Sequence, residues 1–405
     1  MTMRSRGLAG LAAMTMPARG PAAARPGESS TRFETLDSLR GIAAMVVVFD
    51  HCAMLFRPIS DGVPVTFRGD PMAWLLLHSP LALLIEGRGA VALFFVLSGF
   101  VLALPWLNGR QPGYAAFVVR RVCRIWLPYA MAVAVAVLLG TALATYPPPA
   151  ISQWFDRTNW SEPLTPGVVA DYLFMLGRHD TLDNATWSLV YEMRVSLIFP
   201  LLVLPVRRWG LAGAVATAAM LTLLAKLAGM WPAGGYAAVT VGQSLHWAVL
   251  FVLGIATAQQ AARLRAWFLA GPAWTEWVVL AGAAVFLWQY MPYQRDFFLG
   301  VGGMLAIVAA LLPGRLHRLL QHRRLRALGR ISYSLYLVHL LVLLPAAYLL
   351  HDIVPLWLIV VLAPPAALVA AWGFNRLVEE PANRLGRRLT RRSALRLQLL
   401  GGRGA

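Results

Sequence analysis

Charge is scarce in this chain. Asp, Glu, Lys and Arg together make up 13% of the 405 residues, against 59% hydrophobic ones. A soluble domain carries about 25% charged and 45–50% apolar residues, so that class is excluded. Lysine is almost missing, Lys226 being the only one, and acids number 18 against 36 basic residues. The resulting net charge of +18 would suggest nucleic acid in a soluble protein. Here the arginines cluster between apolar runs, the pattern of membrane topology and attraction to anionic lipid, so no nucleic-acid partner is expected. Two cysteines, Cys52 and Cys123, fall in or beside different apolar runs. Two thiols build neither a disulfide framework nor a zinc site, and no metal is expected. Cys52 reads as a small buried filler rather than a nucleophile. No internal repeat is evident.

What is present is a succession of apolar segments. Spans are expected near 37–56, 88–107, 126–144, 187–205, 209–227, 242–260, 274–291, 297–313, 332–350 and 355–374, each about the length a bilayer requires. Trp74 to Ile85 is apolar but short, an interfacial or re-entrant piece. With a cytoplasmic N-terminus, most arginines fall inside, notably Arg120, Arg121, Arg124 and the cluster from Arg315 to Arg330. The expected fold is an all-α, polytopic membrane helix bundle of about ten transmembrane helices, both termini cytoplasmic, in the plasma (inner) membrane. Residues 1–32 read as a disordered basic leader, 33–385 as the transmembrane domain and 386–405 as a basic cytoplasmic tail, with no domain after the last span. The longest outer loop, about 145–186, mixes Trp154, Trp160 and several acids. It suits either a sugar-facing surface or a plain interfacial loop.

The first apolar span is unusual in carrying Asp37, Arg40, Asp50 and His51. Ionisable groups in a membrane helix are costly and are by default a functional-site hypothesis. Arg40 and His51 are eleven residues apart, which on a helix places them on one face, roughly 16 Å from each other. Asp37 lies near the same line. Asp50 points elsewhere. Two readings of His51 stand: a packing hydrogen bond, or a general base whose neutral ring takes a proton. Arg40 is either a snorkelling cation at the cytoplasmic edge or an anion clamp.

Leu36-Asp37-Ser38-Leu39-Arg40-Gly41-Ile42-Ala43-Ala44, followed by His51, resembles the opening signature of the acyltransferase-3 family of integral membrane proteins. Four further motifs follow in the family's order. Leu93-Phe94-Phe95-Val96-Leu97-Ser98-Gly99-Phe100 is one, with Ala92 where many members have an acid. Arg120-Arg121-Val122-Cys123-Arg124 ahead of Pro128 is the second. Trp187-Ser188-Leu189-Val190-Tyr191-Glu192 is the third, and Met193-Arg194 replaces the acid and Gln common after that Glu. The last is Ser332-Tyr333-Ser334-Leu335-Tyr336-Leu337-Val338-His339, with Glu379-Glu380-Pro381 closing the domain. Each has a bland alternative: close helix packing at Ser98-Gly99, ordinary inside charge at Arg121 and Arg124, packing at His339. Asn184, Ser188, Glu192 and Ser196 recur every fourth residue, which draws one polar stripe down a helix.

The resemblance implies a stand-alone O-acyltransferase, without a C-terminal extracytoplasmic domain. It would move an acyl group, taken as acetyl, from acyl-CoA on the cytoplasmic side to a hydroxyl of a carbohydrate, lipid-linked glycan or other acceptor. His51 would be the base, with Glu192 and Asp37 beside it in the catalytic set. Arg40, Arg121 and Arg124 would hold the nucleotide phosphates, and Ser98, Trp187, Ser188 and His339 would contact substrate. Acyl-CoA is a co-substrate here, and no permanently bound cofactor is expected. The competing reading is a transporter of an acylated or sugar-containing compound that performs no acyl transfer. Glu379 is expected to pair with an inner arginine.

Overall fold

The computed structural model describes residues 26–61, 65–144, 150–158, 160–231, 234–272, 274–288 and 295–401, with side chains from 34 to 391. Most of the basic leader and the tip of the tail lie outside these residues. All regular structure among the described residues is helical. The principal helices are α1 (Pro26–Ala53), α2 (Gly87–Leu107), α3 (Tyr114–Leu143), α4 (Trp187–Leu197), α5 (Phe199–Gly229) and α6 (Gly235–Ala270). They continue as α7 (Thr275–Trp288), α8 (Arg295–Leu311), α9 (Arg323–Leu350), α10 (Leu356–Phe374) and α11 (Glu380–Gly401).

Among the described residues, six helical segments are long and apolar enough to cross a membrane: α2, α3, α5, α6, α9 and the run Leu356–Arg391. The other expected spans take different forms. α1 bears Asp37, Arg40 and Asp50 within its apolar part. α7 and α8 have 14 and 17 residues. The expected span 187–205 is two helices, because α4 stops at Leu197 and α5 begins at Phe199 with Pro200 in its first turn. Proline has no N–H to continue the preceding ladder but suits a first turn. The break expected at 206–208 is instead continuous helix, and the chain bends at Gly210, which has φ 63° and ψ −137°. Trp74 to Ile85 forms parts of two short helical pieces, Pro71–His78 and Pro80–Ile85, capped by Asp70 and Ser79. The boundary drawn at 385 falls inside α11, which continues the fold without a break.

α1 packs extensively on α9, and α2 on α6. Both pairs meet through glycine. A Cβ at Gly41 would lie 2.7 Å from the Gly329 nitrogen, and one at Gly329 2.4 Å from the Asp37 carbonyl. A Cβ at Gly99 would lie 2.2 Å from the Phe251 carbonyl oxygen, and one at Gly254 2.0 Å from that of Val96. Backbones touch at these points, so the close-packing reading of Ser98-Gly99 holds. The segment between α3 and α4 adds the helices Gln153–Thr158 and Pro166–Leu173, tied to α3 by Tyr129, whose hydroxyl donates to the Tyr172 carbonyl at 2.9 Å.

Two π-helical turns interrupt the ladder, Val122–Trp126 in α3 and Asn375–Glu379 between α10 and α11. Each sits two residues ahead of a proline, Pro128 and Pro381. A proline cannot donate to the carbonyl four residues back, which loosens the turn before it.

Candidate active site

The first feature is a cavity of about 500 Å³ among α1, α2, α3, α4 and α9. Asp37 and Arg40 reach it from α1, Ser98 from α2, Arg120, Arg121 and Arg124 from α3, and Ser188 and Glu192 from α4. Four arginines against two carboxylates leave its wall with a net charge of +2. The acids are already engaged. Asp37 pairs with Arg40 at 2.9 Å, and Glu192 accepts from Arg121 at 2.9 Å and from Ser98 at 2.9 Å. Arg121 also donates to Ser196 at 2.8 Å. Arg120 donates to Thr390 of α11 at 3.0 Å. Among the described residues, neither Arg120 nor Arg124 has a carboxylate partner. Their charge is uncommitted. Of the expected stripe, Ser188, Glu192 and Ser196 are all engaged on one side of α4, whereas Asn184 falls in the 3-10 turn before it and lines the second cavity.

The second feature lies further along α1 and α9. His51 Nδ1 is 2.8 Å from His339 Nε2. His339 Nδ1 is 3.1 Å from the Leu335 carbonyl oxygen in its own helix. A carbonyl only accepts, so His339 Nδ1 carries a hydrogen. In the neutral ring Nε2 then accepts, His51 Nδ1 must donate to it, and His51 Nε2 is left with its lone pair. Trp154 stacks on His51 with ring centroids 5.3 Å apart. Both histidines are buried, at 9% and 1% exposure. The tautomer chain makes His51 the end of the pair able to take a proton.

Tyr336 separates the two features. Its ring lines the cavity, and it stands three residues before His339 on α9, ring centroids 6.1 Å apart. Its hydroxyl lies 2.7 Å from Ser188 Oγ and donates to the Ala185 carbonyl at 2.9 Å. Neither histidine is among the residues lining the cavity. Between Arg40 and His51, α1 presents Ala43, Ala44, Val47 and Val48, all buried. The polar line read from the sequence is therefore interrupted by apolar packing.

All the expected site residues but Trp187 thus fall into two groups. Asp37, Arg40, Arg121, Arg124, Ser98, Ser188 and Glu192 share the cavity. His51 and His339 form the pair beyond it. Glu192 stands with Arg121 and Ser98, while the ring partner of His51 is His339. Trp187 lines a second cavity, towards the segment between α3 and α4. Glu379 accepts from Ser334 at 2.6 Å and Asn375 at 2.8 Å, in place of the arginine expected for it. Arg194, pointing away from the stripe, donates to the Met175 and Leu176 carbonyls at 3.1 and 2.7 Å. In the sequence Trp154 stands out only as part of the long loop and Tyr336 only within a family motif, and neither is among the expected site residues. Spacing from His339 could have flagged Tyr336. Trp154 lies in a loop about a hundred residues from His51, and no local pattern ties them.

Outside the helices that cross the core, Asp183 is fully buried in the turn before α4. Its Oδ1 accepts from the Ala185 nitrogen at 3.2 Å, and its Oδ2 has no partner. Burial pushes its carboxyl up to about 7.

The sequence profile of the acyltransferase-3 family, described as an acyltransferase domain, matches residues 33–376. The chain belongs to this family. Membership supports a membrane O-acyltransferase activity for this multi-pass helical protein. Comparison with curated proteins finds no match, and comparison with solved structures finds none either.

Proposed function

We propose that the protein moves an acetyl or other short acyl group from acyl-CoA, entering from the cytoplasmic side, to a hydroxyl of a carbohydrate or glycoconjugate. We place both termini in the cytoplasm, a reading supported by the arginine clusters between apolar runs. The observation that carries the reading is the histidine pair. His339 Nε2 accepts from His51 Nδ1, so His51 Nε2 is the free basic site. As the acceptor oxygen attacks the thioester carbonyl, its proton passes to His51 Nε2. His339 and the Trp154 face stabilise the imidazolium so formed. The carbon–sulfur bond then breaks, and the imidazolium returns the proton to the departing CoA thiolate. Direct transfer is favoured over an acyl-enzyme because Cys52 is buried, and the Ser98 hydroxyl, which donates to Glu192, stands in the arginine-lined cavity apart from the histidine pair.

The cationic cavity supports the donor assignment. Arg120 and Arg124 hold uncommitted charge, and Arg40 and Arg121 stand beside them. Guanidinium groups suit bidentate phosphate binding. The pantetheine arm would pass Tyr336 to bring the thioester to His51, which requires the Tyr336–Ser188 contact to open. Asp37 orients Arg40, and Glu192 orients Arg121. The test compares membranes carrying the unaltered chain and His51→Ala, incubated with labelled acetyl-CoA. Acylated product is expected only from the former. Equal label incorporation would overturn the reading, and so would flux of a compound that needs no acyl-CoA.

A further inference from the structure

A second cavity, of about 440 Å³, opens near the outer loop between α4, α6 and the segment 171–187. Its size falls in the roughly 300–1,000 Å³ range of small-molecule sites. Its chemistry differs from that of the donor cavity. Three of its cationic or ionisable basic groups already have a carboxylate. Arg88 is held bidentately by Asp296 at 2.5 and 2.8 Å. Arg178 stands 3.9 Å from Asp171, and His179 2.6 Å from Glu162. No positive charge is left over for a phosphate or carboxylate, whereas the donor cavity keeps Arg120 and Arg124 free of any acid.

What the outer cavity does offer is neutral hydrogen bonding and aromatic surface. Asn184 and Gln243 contribute side-chain amides, which both donate and accept. Asp180, bound to Asn184 at 3.2 Å, contributes an acceptor. Trp187 and Tyr191 present half-buried rings, and Trp187 leans on the buried Trp247 with centroids 5.4 Å apart. Ring faces beside amides and a carboxylate match a polyhydroxylated ring, which has both C–H faces and hydroxyls.

The cavity lies beside the donor cavity, the run 184–188 reaching both walls. Asn184, in the 3-10 turn Asn184–Thr186, is on its wall, and Ser188, at the start of α4 four residues later, is on the wall of the donor cavity. Ala185, between them, accepts from Tyr336 at 2.9 Å.

We infer that this outer cavity is the acceptor subsite and takes one uncharged sugar unit, seated on Trp187 and Tyr191 and held by Asn184 and Gln243. The inference rests on the reading that the acceptor is a carbohydrate arriving from the outer side. Its test does not depend on acyl transfer. The full chain in lipid nanodiscs is probed by saturation-transfer NMR with methyl β-D-glucopyranoside, methyl β-D-galactopyranoside and the anionic methyl β-D-glucuronide, without CoA. At least one neutral glycoside is expected to receive saturation, more strongly than the glucuronide. Asn184→Ala and Gln243→Ala are each expected to weaken that signal at least fivefold. Gln243 is exposed, so its variant is a safe control for folding. His51→Ala should retain binding, so loss of transfer chemistry and loss of acceptor binding are read separately. No saturation of either neutral glycoside, a preference for the glucuronide, or unchanged binding in both amide variants would overturn the assignment.

Discussion

His51 and His339 meet at 2.8 Å, and each stands ten residues beyond the glycine at which its helix touches the other, Gly41 and Gly329. Equal offsets from one crossing point mean that α1 and α9 run in the same direction. At about 1.5 Å per residue, the pair lies roughly 15 Å beyond that contact. The glycines therefore set the register in which the two imidazoles can share a hydrogen.

That register yields the first expectation. Gly329→Leu would drive a side chain into the Asp37 carbonyl, since even a Cβ there would lie 2.4 Å from it. Overpacking of this kind typically costs about 1–3 kcal/mol, and backbone contact puts this site at the upper end. Acyl transfer should fall at least tenfold, with a lowered melting temperature in detergent, as the two histidines separate.

His339 should behave as a positioning residue. His339→Ala removes the acceptor that fixes the His51 tautomer, and kcat is expected to drop roughly 10–100-fold, short of the about 10²–10⁴-fold expected for losing the base itself. His339→Gln can still accept through its amide oxygen and should recover part of the rate. Acyl-CoA binding, measured by equilibrium titration, should be unchanged in both.

If the arginine-lined cavity is the donor site as proposed, charge that binds and charge that holds the fold are separable there. Arg124→Ala is expected to raise the KM for acyl-CoA about tenfold while leaving the melting temperature within a degree or two, because no carboxylate depends on it. Glu192→Gln acts on the buried Arg121 instead, whose side chain is 8% exposed. Stripping one partner from a buried pair costs about 3–5 kcal/mol, so this variant should melt markedly lower. Equal melting of the two variants would contradict the division.

Asp183 gives the chain a pH dependence of stability. Its carboxyl titrates near 7 in the folded protein, against 3.8 as its ordinary value. The folded state therefore binds a proton that the unfolded state has released, so stability falls as pH rises from about 4 to about 7. Asp183→Asn cannot ionise and should flatten that slope in thermal unfolding followed across the same range.

Much of this was legible along the chain. The membrane-helix class followed from scarce charge and long apolar runs, because a bilayer admits helices whose backbone groups are satisfied internally. The i, i+4 recurrence of Asn184, Ser188, Glu192 and Ser196 foretold one polar face, and the last three form it, while Asn184 precedes α4 in a tighter turn and faces elsewhere. Span boundaries were less legible where Pro200 and Gly210 re-divide a continuous apolar run, since hydropathy averages over a break that one residue decides.

Sequence by itself determined which residues are ionisable within apolar helices and on which helical face each lies, since 3.6 residues per turn is a local rule. Only the tertiary structure decided the partners. Glu192 went to Arg121 and Ser98, His51 to His339 and Trp154, and Tyr336 came to stand between them. Those choices depend on how closely two backbones approach, at Gly41 with Gly329 and at Gly99 with Gly254, and contacts between residues hundreds of positions apart leave no period in the chain to read.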